Sequence, residues 1–345
     1  MARIFTSVRL LVAGLVLLAV AGFLYLVPSN QYIFLPDRAQ PLAPYVQVKG
    51  ERPDPDGDGG GIYYVAVEVK KASLLEKLFH GLHEGSTLVP ASAVRAPGES
   101  DAQHRRAELQ AMAQSQEIAA AVALRALGYK VDVSSPGTVI AAVSSDGPAA
   151  GKLRPRDIIV RVDGKRSLSP TDLRRLIRVH RPGEMVTLTI RRGRRLEQIR
   201  VKTAPDPRDA QRPLIGVFTD CALQRPAKIK LPVPVHIDLG QVGGPSAGLA
   251  FALDVVEELG RDIDRGHKVA ASGELCVDGS VVAVGGLKQK TIGAKRAGVD
   301  VFLVPAGENT AEARRYAGDM RVIPVHSFRQ ALRSLATLPK KQPKA

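Results

Sequence analysis

The stretch LPVPVHIDLGQVGGPSAGLAFALDVVEELG, residues 231–260, decides how the last third of the chain is read. Leu231–Asp238 reads as a strand, with Val233, Val235 and Ile237 at alternate positions. Gly240 and then Gly243-Gly244-Pro245-Ser246-Ala247-Gly248 interrupt it. Residues 249–259 have helical character, and Gly260 is a C-terminal stop. Strand, glycine turn and helix put Ser246 at or beside a helix N-terminus, where unpaired amides and the dipole favour negative charge. A nucleophilic serine placed there gains an oxyanion site from the same backbone. The plainer alternative is that Ser246 only caps the helix, and this turn alone favours that alternative.

Working outward, residues 272–284 (SGELCVDGSVVAV) read as a β-hairpin. They lead into Gly285-Gly286-Leu287-Lys288-Gln289-Lys290, a second glycine turn entering a helix, followed by the strand 301–305 and Asn309. Together GGPSAG, SGE and GGLKQK resemble the proteolytic domain of Lon-type proteases, over roughly residues 214–335. The resemblance implies a Ser–Lys dyad, with Ser246 as nucleophile between Gly244-Pro245 and the helix, and Lys290 as base. Lys288 belongs to the motif but not to the dyad. Ser272 stands at the family's usual Thr position, and Glu274 matches a glutamate with a structural role. Gly243 stands where Lon proteases often carry Asp, which argues against regulation by a side chain there.

The chemistry agrees with that assignment. An ammonium accepts no proton, so Lys290 must be neutral, and burial near a helix N-terminus lowers its pKa. A serine within hydrogen-bond reach of such an amine is an activated nucleophile. The competing arrangement is Ser-His-Asp, using His236 and Asp238, which alternate with Val235 and Ile237 along one strand. The remaining histidines show no metal-ligand spacing, and no metal or cofactor is expected. Cys221 and Cys276 read as buried hydrophobes rather than a disulfide.

Between Tyr129 and Thr203 the pattern changes to short strands and turns. Residues 138–143 and 157–162 read as strands, Asp163-Gly164 as a turn, and 170–179 as a helix capped by Ser169. Residues 185–190 and 196–201 form a hairpin around Arg192-Gly193. With Ala126-Leu127-Gly128-Tyr129, Gly147-Pro148-Ala149-Ala150, residues 153–159 and Val162-Asp163-Gly164, this order resembles a PDZ domain. The resemblance implies that Leu127, Gly128 and Tyr129 form a carboxylate-binding loop for a free peptide C-terminus, the peptide adding as a strand. Arg156-Asp157 stands where PDZ domains usually carry Gly-Asp.

At the other end, residues 10–27 (LLVAGLVLLAVAGFLYLV) are an unbroken apolar run of 18. At about 1.5 Å per residue they span roughly 27 Å, close to the hydrocarbon thickness of a bilayer. Arg3 and Arg9 precede the run and the first acidic residue is Asp37, which places the N-terminus in the cytoplasm and the remainder outside. Ala19-Val20-Ala21 resembles a signal-peptide cleavage site, but the run continues through Val27, which favours an uncleaved anchor. Tyr45–Val48 and Ile62–Val69 read as the strands of one long-looped hairpin, and residues 101–127 as a helix.

The 345 residues carry 49 Lys and Arg against 34 Asp and Glu, a net charge of +15. Between Lys152 and Lys202 lie 16 basic and 5 acidic residues, +11 of that total. Outside the cytoplasm DNA is a poor partner, and aromatics at 4% with no Trp leave no stacking platform for single strands. Anionic lipid or a solvated basic face remain. No G-x-x-x-x-G-K-[ST] phosphate loop occurs, so the motor of full-length Lon is absent from this sequence.

The expected fold is α/β (α+β), resembling the bacterial membrane-anchored PDZ–Lon peptidases. Its parts are a cytoplasmic N-terminus 1–9, a transmembrane helix 10–27 and an extracytoplasmic region 28–124. A PDZ domain 125–205, a Lon-type proteolytic domain 206–338 and a basic tail 339–345 follow. The expected function is ATP-independent endopeptidase action on exposed extracytoplasmic segments, with the PDZ domain recruiting substrate or gating the site. Expected partners are protein or peptide substrates, the membrane and, as Lon-type domains often form hexamers, further copies of the chain. The alternative is an inactive PDZ adaptor at the membrane.

Overall fold

A computed structural model of the chain describes residues 2–49, 59–79, 81–96, 98–207, 209–219 and 228–341. Helix α1, Ala2–Leu26, leads directly into a strand at Pro28–Pro36. From residue 11 onward most of its apolar side chains stand exposed, Leu17 and Leu26 among them, while Ala21 and Leu24 are half-buried. Among the described residues no helix is long and apolar enough to cross a membrane, so the span expected over 10–27 gains no support from the fold.

Helix α2, Asp101–Ala126, starts at Ser100 with a capping box: the Ser100 hydroxyl accepts from Gln103 N–H, and the Gln103 side chain reaches back to Ser100 N–H. Met112, Ser115, Ile118, Ala119 and Val122 make its buried stripe, at the spacing of one helix face. That stripe packs on the C-terminal third of the chain. One core joins Ile118 and Val122 to Leu42, Val46 and Ile62 on one side, and to Phe251, Leu253, Val269, Leu303 and Phe328 on the other. Within residues 28–124, expected as a separate region, the segment from Leu42 to Tyr64 and the buried face of α2 therefore share one core with residues 231–338.

The central sheet shows why. Its strand order is Gln40–Pro41, Gly61–Tyr64, Lys268–Ala271, Val301–Pro305, Arg321–Val325, and the last four strands run parallel. Ile62 lies opposite Val269. The hairpin expected from 45–48 and 62–69 does not form: Val46–Val48 pairs with Val235–Ile237, while Val67–Ser73 joins Pro28–Pro36 and Thr87–Pro90 in a three-stranded sheet. Ile62 and Tyr64 point to one face and are buried in the larger core, while Tyr63 on the other face packs half-buried against a second cluster around Phe302 and Leu287. The strand is thus covered on both sides rather than being one arm of an exposed ribbon.

The intervening region has its own sheet, ordered Arg195–Lys202, Met185–Arg192, Ile158–Val162, Thr138–Val143, Val217–Thr219. Helix α3, Pro170–Ile177, caps on Ser169 as expected and buries Leu173, Leu176 and Ile177 against Ile140, Ile159, Leu188 and Val201. Asp163 and Gly164 both have positive φ, 47° and 79°, the turn their sequence calls for. Arg156 has φ 71°, a left-handed conformation in which a glycine would be unstrained. Asp157 beside it is held by two bonds from the Arg192 guanidinium, 2.9 and 2.7 Å.

Candidate active site

Gly244, at φ 89°, opens a 3₁₀ turn, Pro245–Ala247, and helix α4 follows as Gly248–Glu258. The N-cap position of α4 is Ala247, and no side chain caps it. Ser246 is therefore not spent as a helix cap, and its half-buried side chain lies in the turn that precedes the helix. The Ser246 carbonyl accepts from Gly273 N–H at 2.8 Å and from Ser272 Oγ at 3.3 Å. Gly248 is required by space: a Cβ there would meet Ser115 Oγ at 2.7 Å and Leu275 N at 3.2 Å.

Helix α5, Leu287–Arg296, begins after Gly286, which takes the left-handed conformation at φ 72°. Lys290 lies in its second turn and is 3% exposed. Its Nζ donates to Ser272 Oγ at 3.2 Å, and Ser272 is fully buried. Burial alone pushes the Lys290 amine down from 10.5 to about 7. The geometry is thus a chain from Lys290 Nζ through the Ser272 hydroxyl to the Ser246 main chain. Among the described residues no hydrogen bond joins Lys290 Nζ directly to Ser246 Oγ. The other residues of GGLKQK hold structure: Lys288 Nζ donates to the Ser86 carbonyl at 2.9 Å, and the Gln289 amide donates to the Gly85 carbonyl and Thr87 Oγ1.

Glu274 begins the short strand Glu274–Leu275, antiparallel to Val281–Val282. With Pro245, Leu275 and four residues of α2, Ala111, Gln114, Ser115 and Ile118, it lines a cleft of about 40 Å³ beside the Ser246 turn. His236 and Asp238 are exposed; His236 faces Gln47 across a strand pair, and Asp238 Oδ1 accepts from Gly240 N–H. They do not meet Ser246. Among the described residues Glu257, Asp262 and Asp264 lie close enough to share a cation. One Glu257 oxygen is already engaged by Ile263 and Asp264 N–H, and Asp262 pairs with Lys340.

The expected carboxylate loop is placed otherwise than its motif suggests. Leu127 N–H bonds Ala123 and Leu124 carbonyls, Gly128 N–H bonds Arg125, and Tyr129 N–H bonds Leu124, so all three amides close the C-terminus of α2. Leu127 and Tyr129 also pack on the catalytic core. Cys276 corrects a second expectation: it is disulfide-bonded. The sequence holds a single further cysteine, Cys221, which lies outside the described residues. Sequence reasoning missed α2 altogether as part of the site. Beyond its own capping signals, nothing in its sequence says where it docks.

Residues 125–203 match the family model for the PDZ domain, and residues 220–336 match the Lon protease (S16) C-terminal proteolytic domain. The Lon protease of Mesomycoplasma hyopneumoniae (strain 232) is 32% identical over 103 residues, 28% of this chain and 12% of that protein. That of Clostridium acetobutylicum is 44% identical over 75 residues, 21% of this chain and 10% of that protein. These matches span 10–12% of the length of the curated relatives. The solved PDZ domain of an SdrC-like protein from Listeria monocytogenes is 27% identical, with a TM-score of 0.24, over 26% of this chain and 92% of that one. The chain thus joins a PDZ domain to a proteolytic domain of the serine-type Lon peptidases.

Proposed function

We propose that the protein is an ATP-independent serine endopeptidase in which Ser246 is the nucleophile and Lys290 the general base. The observation that carries this reading is an amine wholly buried, lowered to about 7, and bonded to Ser272 one step from the Ser246 main chain. Neutral Lys290 has one lone pair; its bond to Ser272 fixes the direction in which that lone pair is presented. Lys290 takes the proton from Ser246 Oγ as the oxygen attacks the scissile carbonyl, and the first N–H groups around α4 receive the oxyanion. The lysine then returns its proton to the leaving amine. Water, deprotonated by the same amine, releases the acyl group.

The sequence carries no phosphate loop, which supports action on segments already exposed rather than on stable folds. An uncleaved anchor at residues 10–27 is proposed on the apolar run and on the exposed side chains of α1. A disulfide at Cys276 supports an oxidising, extracytoplasmic setting. The PDZ domain, in this reading, recruits a peptide or gates the site. With the three loop amides closing α2, recruitment through a carboxylate there requires that helix end to open.

Labelling with a fluorophosphonate probe and hydrolysis of an unstructured polypeptide test the reading. Wild type should be labelled and active. Ser246→Ala should lose both, and Lys290→Ala or Lys290→Arg should lose at least about a thousandfold in rate, as dyad members act as a unit. Wild type that is neither labelled nor active would leave the adaptor reading in place.

A further inference from the structure

We propose that Ser115, on α2 and outside the segment matched to the proteolytic domain, is a positioning residue for the nucleophile turn. The inference rests on the peptidase reading above. Ser115 is buried in the middle of a helix, where a serine hydroxyl ordinarily folds back on the carbonyl four residues earlier. Instead its Oγ donates to the Pro245 carbonyl at 3.1 Å. The approach is possible because residue 248 is glycine; a Cβ there would come within 2.7 Å of that same oxygen. A buried hydroxyl and a missing side chain are thus matched to one another across two segments far apart in sequence.

The Pro245 carbonyl and the Ser246 N–H belong to one planar, trans peptide unit, so they point in opposite directions. The same carbonyl also accepts from Gly248 N–H, and Ser115 holds it from the α2 side. Together they fix the direction of the Ser246 N–H, a backbone donor suited to the oxyanion. The same helix grips the turn twice more. The Glu108 carbonyl accepts from Gly244 N–H at 3.0 Å, and the Arg105 guanidinium donates to the main-chain and side-chain oxygens of Gln241. Ser115 touches neither Ser246 Oγ nor Lys290. It acts through the peptide plane.

Steady-state hydrolysis and the rate of fluorophosphonate labelling, measured on the full chain, test this. In Ser115→Ala, kcat and the labelling rate should fall about tenfold, less than the loss of a whole oxyanion donor. KM should stay within about twofold, because substrate binding is not addressed. The midpoint of the pH–kcat profile should stay near 7, because the burial of Lys290 is untouched. Ser115→Thr, which keeps the hydroxyl, should recover most of the loss, whereas Gly248→Ala should reproduce it from the opposite side. Wild-type kcat and labelling rate in Ser115→Ala, with only a lower Tm, would overturn the proposal. Wild type that is never labelled at Ser246 would instead sink the peptidase reading on which it rests.

Discussion

In the PDZ domain the buried side chains Ile140, Ile159, Leu188 and Val201 come from one continuous stretch of chain. In the proteolytic layer, Ile62 and Val122 from before the PDZ domain interlock with Leu253, Val269 and Leu303 from after it. The first region carries its whole core within its own sequence; the second cannot close without both flanks. A sequence match sees the two as neighbours in series, 125–203 and 220–336. The packing makes the PDZ domain an insertion into a catalytic body that begins before residue 62.

The largest test of that contrast is to cut the chain. A fragment of residues 130–219, which keeps the strand Val217–Thr219 on the PDZ sheet, should unfold cooperatively on its own. A fragment of residues 220–341 should show no cooperative transition, since its sheet lacks Gly61–Tyr64 and its helices lack α2. Circular dichroism through a urea titration separates the outcomes, and a cooperative 220–341 fragment would break the comparison.

A smaller effect comes from the amine at the centre of the catalytic layer. Unfolded, Lys290 keeps its proton to about 10.5; folded, it loses it at about 7. Between those values the unfolded chain binds the extra proton, so stability rises with pH, by roughly 1.4 kcal/mol per unit. Below about 7 both states are protonated, and the cost of the buried ammonium is present in full. Lys290→Met should therefore be inactive yet more stable than wild type at pH 7, with the difference shrinking toward pH 10. Urea midpoints of the two proteins across that range measure it. The PDZ sheet should feel nothing.

The smallest effect belongs to the PDZ side. Arg156 is exposed and holds φ 71°, so Arg156→Gly removes left-handed strain and should stabilise that domain by about 1 kcal/mol, less the entropy that glycine adds to the unfolded chain. Hydrogen exchange confined to residues 138–219 would show it; a destabilised variant would mean the arginine side chain does more than its exposure suggests.

What could be read from the sequence was local. The two glycine turns that enter helices, at Gly243-Gly244 and Gly285-Gly286, were legible because such turns are written in consecutive residues. The roles of Ser246, Ser272 and Lys290 came from the resemblance and not from the turns. Asp163-Gly164, the Ser169 cap and the 185–202 hairpin were legible for the same reason. The partner of Gly61–Tyr64 was not, because parallel pairing joins segments that share no turn, and alternation alone says nothing of which strand lies alongside. Nor was Ser115, whose role depends on a glycine in another segment. The helix-closing bonds of the Leu127-Gly128-Tyr129 amides were not legible either, because a glycine in that motif suits a helix terminus as well as a ligand loop, and Gly128 takes φ 88° at the end of α2. Arg156-Asp157 read as a departure from the PDZ pattern, and the positive φ at residue 156 shows the strain that the departure costs.

The pairing of Ile62 with Val269 also orders events in time. A ribosome adding about 5–20 residues per second needs roughly 10–40 s to deliver the second strand after the first. During that interval the PDZ domain can fold and leave the tunnel while the early strands wait without a partner. Ser272, Lys290 and the strand Val301–Pro305 come later still, and the lysine is buried only once they have assembled. The lowered amine of Lys290 is therefore a feature of the assembled fold, and the nascent chain carries an ordinary lysine until its last strands arrive.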